Sequence, residues 1–235
     1  MHHVLMDQWS QGTSPLHARD PRAKILALLA FLVVLATTPP NAFLTLAIDT
    51  AVLVAGTLIA GIPPLDLLLR AMAVLPFSLT FGAMSWLAGE QLRALGLVEK
   101  SYLSTVAVLL VVGTTPLPIL LSGLEALGTP RLLTLVAQFL YRYLFVVSEQ
   151  AQHLRLAAAC RGGTHGRRRA GFRAAAGALA VLFARSYYRA EGIHRAMMAR
   201  AFSGKFALLR RLQFRPADGL FALAITAFLI LVRVQ

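Results

Sequence analysis

Apolar runs separated by polar and proline-rich breaks set the plan of this chain. They occupy 25–38, 42–60, 71–89, 101–121, 132–148, 174–184 and 218–232. A helical bilayer crossing takes roughly 20 mostly apolar residues. The runs at 42–60, 71–89 and 101–121 meet that length, the first and last are slightly short, and 174–184 is much too short to cross alone. The breaks are chemical as well as compositional. Pro39-Pro40-Asn41 closes the first run and Gly61-Ile62-Pro63-Pro64 the second. Pro76 falls inside the third run, and Pro116 and Pro118 kink or end the fourth, because proline has no N–H to give a helix.

Composition agrees with a membrane setting. Of 235 residues 57% are hydrophobic and 14% charged, against about 25% charged in soluble domains. The charge is also localised. Residues 141–215 hold 15 Lys or Arg against two acids, Glu149 and Glu191, and the rest of the chain balances 8 bases with 8 acids. Such a block reads as a positive-inside loop, a lipid-headgroup surface or a dock for an acidic partner. Nucleic acid is not expected, because no zinc spacing or RNA-binding motif accompanies the charge.

Arg19, Arg22 and Lys24 precede the first run and place the N-terminus in the cytoplasm. Four crossings before 121 return the chain there. A full crossing at 132–148 would put the basic block outside, and Arg142 lies in that run. The stretch is therefore expected at the cytoplasmic interface, and 218–232 is the fifth crossing. The expected domains are a cytoplasmic segment 1–23, four transmembrane helices in 24–121, a cytoplasmic or interfacial helical module in 122–216, and a last span in 217–235. The predicted fold class is an all-α polytopic membrane protein. Cys160 is the only cysteine, which excludes an internal disulfide and agrees with a reducing compartment. Residues 1–20 are polar, with no signal peptide evident.

Inside the basic block, two helix ends share one chemistry. Val147, Ala151, Leu154, Ala158 and Arg161 follow steps of 4, 3, 4 and 3, a single helical face, and Gly162-Gly163 follows as a helix stop. Ile193, Ala196 or Met197, and Arg200 repeat the pattern, with Ser203-Gly204 beyond. A cation at a helix C-terminus gains about 0.3–1 kcal/mol, which is the simple capping explanation. It does not account for the small residues around each arginine: Ala158, Ala159, Cys160 and Gly162 at the first, Ala199 and Ala201 at the second. Small neighbours let another backbone approach while the guanidinium meets a carboxylate.

Several segments resemble a known family. Asp20-Pro21-Arg22-Ala23-Lys24, Tyr141-Arg142-Tyr143, Ser186-Tyr187-Tyr188-Arg189-Ala190-Glu191 and the stretch from Ala196 to Gly204 are similar to the transmembrane component of energy-coupling factor (ECF) transporters, in its CbiQ branch of cobalt uptake systems. The resemblance covers about 20–204. It implies that Arg161 and Arg200 are the arginines of two Ala-Arg-Gly signatures, each ending a coupling helix seated in a cytoplasmic ABC ATPase. The chain departs from that signature at Cys160 and at Ala201, both still small. Ala201 weakens the helix stop, which is expected to pass to Gly204. The ATPase-coupling residues implied are Arg161 and Arg200 with Ala159, Cys160, Gly162, Ala199, Ala201 and Gly204.

The implied function is the scaffold and energy-coupling subunit of an ATP-driven cobalt importer in the cell inner membrane. Its partners would be two ABC ATPase subunits and a separate substrate-binding membrane subunit. A nickel importer is the close alternative and a vitamin importer a more distant one. No Gly-x-x-x-x-Gly-Lys-Ser/Thr loop is present, so ATP hydrolysis belongs to a partner and the chain is not expected to be an enzyme. Neither cofactor nor catalytic residue is expected. His2, His3, His17, His153, His165 and His194 show no ligand spacing, so no metal site is expected. A self-contained carrier or a small membrane enzyme is the competing class. The acids are few, and only Asp49 lies well inside an apolar run.

Overall fold

The computed structural model describes residues 9–10, 12, 14–39, 41–161, 168–204 and 216–234, with backbone alone at 43, 168–170 and 228–234. The elements among them are helical: α1 (Pro21–Thr37), α2 (Phe43–Ala60), α3 (Pro64–Ala71), a 3-10 turn (Met72–Val74), α4 (Leu75–Leu87), α5 (Gln91–Gly113), α6 (Leu117–Ala126), α7 (Arg131–Cys160), α8 (Arg168–Ala199) and α9 (Pro216–Val234). They form two compact units, one from 1–129 and 210–235, the other from 130–209.

Proline and glycine place the boundaries. Asp20 caps α1 by accepting from the Arg22 N–H at 2.9 Å, and Pro21 fills the first helical position, where an N–H has no partner anyway. Gly61, at φ +68°, closes α2 before Pro64 opens α3. The 3-10 turn lies immediately before α4, which carries Pro76 in its first turn. Thr114-Thr115-Pro116 separates α5 from α6, as the prolines predict. Ser122 and Gly123 are buried in the first unit. A Cβ on Gly123 would lie 3.0 Å from Pro21 Cβ, so α6 reaches α1 through the missing side chain.

The core of the first unit runs between α1, α2 and α5, from Phe31, Val34 and Leu35 to Leu46 and Leu53 and to Leu103, Val106 and Leu110. The outward faces are as apolar as the core. Leu58, Leu65, Phe77, Met84 and Leu87 are 67%, 68%, 69%, 71% and 86% exposed. So broad an apolar surface has no place in water and is what a hydrocarbon surrounding requires. By length and composition three helical stretches can cross a membrane: Pro64–Leu87, Gln91–Gly113 and Arg131–Cys160.

Two lysines join α1 and α5 at opposite ends. Lys24, 4% exposed, donates from Nζ to the Thr114 carbonyl at 3.0 Å and to Thr115 Oγ1 at 2.8 Å, at the C-terminus of α5. Lys100 donates from α5 to the carbonyl of Thr38, the C-cap of α1. Each ammonium thus satisfies a carbonyl left open where a helix ends, at the pole that favours a cation. Both separations, from 24 to 38 and from 100 to 114, are 14 residues, or about 21 Å of helix. The antiparallel pair is fastened at both ends with an apolar middle.

Around Lys24 the first unit builds a polar knot. Asp20 and Asp218 lie close enough to act electrostatically on its ammonium. Asp218, in the first turn of α9, is 4% exposed and pairs with Arg19 at 3.5 Å. Arg19 also lies over the Phe221 ring, 5.7 Å from its centroid. Ahead of the knot, His17 accepts the Ser14 hydroxyl at Nδ1 (2.7 Å) and donates from Nε2 to the Trp9 carbonyl (2.8 Å). Arg70 covers the Trp9 ring at 4.6 Å.

The second unit contains α7, 30 residues long, and α8, 32 residues long, which pack on each other. The run 132–148 is part of the single helix α7 rather than a separate element. Likewise 174–184 is the apolar middle of α8, a helix that hydropathy alone does not show. On α7 the half-buried positions include Val147, Ala151, Leu154 and Ala158. On α8 they include Gly171, Ala174, Ala178 and Leu182. Both series step by three and four, the signature of one helical face.

Candidate functional site

The two arginine-bearing ends belong to the second unit. The first closes α7. Arg161 is the C-cap, at φ −89° and ψ 12°, and its N–H donates to the Ala157 carbonyl at 3.2 Å. Ala159, Cys160 and Arg161 are exposed, and Cys160 is a free thiol. Gly162 lies outside the described residues.

The second closes α8 with more detail. The Ala201 N–H donates to the Met198 carbonyl (3.0 Å) and the Phe202 N–H to the Met197 carbonyl (3.0 Å), the two bonds of a Schellman close. That turn needs a left-handed residue, and Ala201 supplies it at φ +51°, alone in this region among the described non-glycine residues. The helix therefore stops at Ala201. The stop expected at Gly204 is overruled, because the two backbone bonds recovered at the end of α8 hold alanine in a conformation glycine usually fills. Gly204, at φ +75°, makes a second left-handed turn in open space. Ala199, Arg200 and Ala201 are exposed.

Neither Arg161 nor Arg200 has an ion-pair partner among the described residues, whereas nearby Arg195 is paired with Glu191. The apolar stripes behind them behave differently from a free docking face. Val147, Ala151, Leu154 and Ala158 are half-buried in the packing of the unit, so it is the arginine and its small neighbours that stand in the open. The spacing is also informative. Arg161 adjoins the chain leading into α8, and Arg200 ends α8, a helix about 48 Å long. The two tips therefore end different helices of the unit.

Other candidates resolve simply. His153 and His194 are exposed, while His2, His3 and His165 lie outside the described residues, as does Arg167 of the arginine run. No three His, Cys, Asp or Glu among the described residues gather as metal ligands. Asp49 is 1% exposed with neither carboxylate oxygen hydrogen-bonded. The reading of the sequence missed the Lys24 and Lys100 fastenings. Their signal is a lysine one or two turns inside a helix whose neighbour ends in threonine. Contacts across 90 and 62 residues are not legible locally.

An apolar helical unit clad for lipid, joined to a unit of two long helices ending in open arginines, defines an all-α membrane protein built to engage partners. Residues 12–208 match the family described as CbiQ, cobalt transport protein, and the chain belongs to that family. It is 32% identical over 206 residues to the cobalt transport protein CbiQ of Rhodobacter capsulatus, covering 83% of this chain and 82% of that one. It is also 28% identical over 230 residues to the energy-coupling factor transporter transmembrane protein EcfT of Bacillus selenitireducens, covering 86% and 84%. The chain is a transmembrane component of a transporter of the energy-coupling factor type.

Proposed function

We propose that this chain couples ATP hydrolysis in partner subunits to cobalt import, with Arg161 and Arg200 as its two anchors. The observation that carries the reading is the pair of exposed arginines, each ending a long helix among small residues and without an ion-pair partner among the described residues. Two ABC ATPase subunits on the cytoplasmic side each receive one tip. When ATP closes them, the tips move with them, and α7 and α8 pass the motion to a separate membrane subunit that selects the metal. Ala159 and Cys160 at one tip, and Ala199 and Ala201 at the other, admit the partner backbone close to the guanidinium. Gly204 completes the second end, and Gly162 follows Arg161 in the sequence.

The topology that goes with this role keeps the N-terminus in the cytoplasm. The crossings are α1, α2, α3 with α4, α5, and α9, while α7 runs at the cytoplasmic interface. The chain itself performs no catalysis, and the basic excess of 141–215 faces the cytoplasm.

A detergent pull-down with the two ATPases tests the anchors, comparing wild type with Arg161→Glu, Arg200→Glu and the double variant. A charge-assisted hydrogen bond contributes roughly 1.5–3 kcal/mol, so each reversal weakens retention by about tenfold or more, and the double variant loses it. Retention that survives both reversals makes the arginines simple helix caps.

A further inference from the structure

The chain leaves the first unit after α6, which ends at Ala126, and returns to it at α9, which starts at Pro216. Both helices are secured at the same place. α6 rests on Pro21 through Gly123, and α9 is tied by Asp218 to Arg19. Between them lies Lys24, buried and bonded to Thr114 and Thr115 just ahead of α6. The charges are arranged for one another: Arg19 with Asp218, and Lys24 within the field of Asp20 and Asp218. This is more than capping requires, since Asp20 alone closes the start of α1.

We propose that the Arg19–Lys24 knot is the fixed point of the coupling mechanism, holding both chain connections of the second unit so that its motion becomes work. The proposal rests on the function proposed above. A lever needs a fulcrum that does not yield. If the start of α9 slides when the second unit moves, partner motion is absorbed as slack rather than passed on. Arg19 and Asp218 are positioning residues in this account; they touch neither ATPase nor metal. The Arg19–Asp218 pair matters because Asp218 is buried, and removing Arg19 takes away one of the cations that hold its carboxylate.

The test uses the complete transporter, reconstituted with both ATPases and the membrane partner in vesicles. Wild type, Arg19→Gln, Arg19→Lys and Asp218→Asn are compared by ATPase retention, ATP hydrolysis and uptake of radiolabelled cobalt. Arg19→Gln and Asp218→Asn are expected to keep retention and hydrolysis within about twofold of wild type, while cobalt taken up per ATP hydrolysed falls by about tenfold. Arg19→Lys, which keeps the charge, recovers most of that ratio. An unchanged ratio overturns the proposal. So does a parallel fall of retention, hydrolysis and uptake, which makes the knot a folding element only. Failure of the wild-type chain to retain ATPases rejects the coupling function itself, and the knot's role with it.

Discussion

Replacing Ala201 with glycine is expected to stabilise the end of α8, against the usual effect of glycine near a helix. Left-handed backbone costs an L-residue about 1–2 kcal/mol, and Ala201 bears that cost at φ +51°. Glycine removes it but brings a more disordered unfolded chain, costing about 0.4–1 kcal/mol. The difference favours Ala201→Gly by about 0.5–1 kcal/mol, a two- to fivefold shift toward the closed turn at room temperature. The effect is local, so a local probe is needed. The backbone N–H groups of residues 201 and 202, which donate to Met198 and Met197, exchange with heavy water only when the turn opens. In the purified chain their exchange slows two- to fivefold in Ala201→Gly, by the same free energies. Gly204→Ala, where no atom crowds the added Cβ, speeds exchange around 204 through backbone strain alone. Unchanged or faster exchange at 201 and 202 in Ala201→Gly refutes the reasoning, since it means the left-handed turn is not what ends the helix.

Three further outcomes follow from the geometry. Lys24→Met strands the Thr114 carbonyl and is expected to cost about 1–3 kcal/mol, read as a lower thermal midpoint in detergent. Lys100→Met costs less because Lys100 is only half-buried, and the two losses add, as they should for sites about 21 Å apart. Asp49→Val removes a buried carboxylate with no hydrogen-bond partner and is expected to raise the thermal midpoint by recovering about 1–3 kcal/mol of desolvation; a lower midpoint shows that the carboxylate has a partner in the intact protein. Cys160, exposed beside Arg161, reacts with a maleimide in the isolated chain and becomes blocked once the ATPases bind. Equal labelling in both states argues that the first tip is not covered.

The membrane unit was largely legible because its punctuation is chemical. Pro64, Pro76, Pro116 and Pro118 each mark a boundary or a first turn, and Gly61 takes the left-handed position that a chain reversal demands. α8 was hidden for the opposite reason. Its arginines at 173, 185, 189 and 195 break an apolar run without breaking a helix, since arginine and alanine are both good helix formers. Hydropathy measures where a helix can live, not whether it forms. The arginine tips were read from spacing, but the use of the stripe behind them was not, because Leu154 and Ala158 look alike whether they meet a partner protein or the neighbouring helix. Ala201 shows a further limit. An alanine gives no local sign of a left-handed turn, and only the bonds to Met197 and Met198 reveal it.

The length of α8 sets what partner motion can become. A helix is nearly incompressible along its axis, so α8 acts as a strut of about 48 Å between its two ends. On the proposed coupling role, partners that close on each other would not shorten it. If the ends are drawn together by about 5 Å along their original line, a rigid strut of about 48 Å must tilt by about 26°. On the coupling role proposed above, a small approach at the ends of α8 becomes a large rotation, the stroke that a membrane partner would receive.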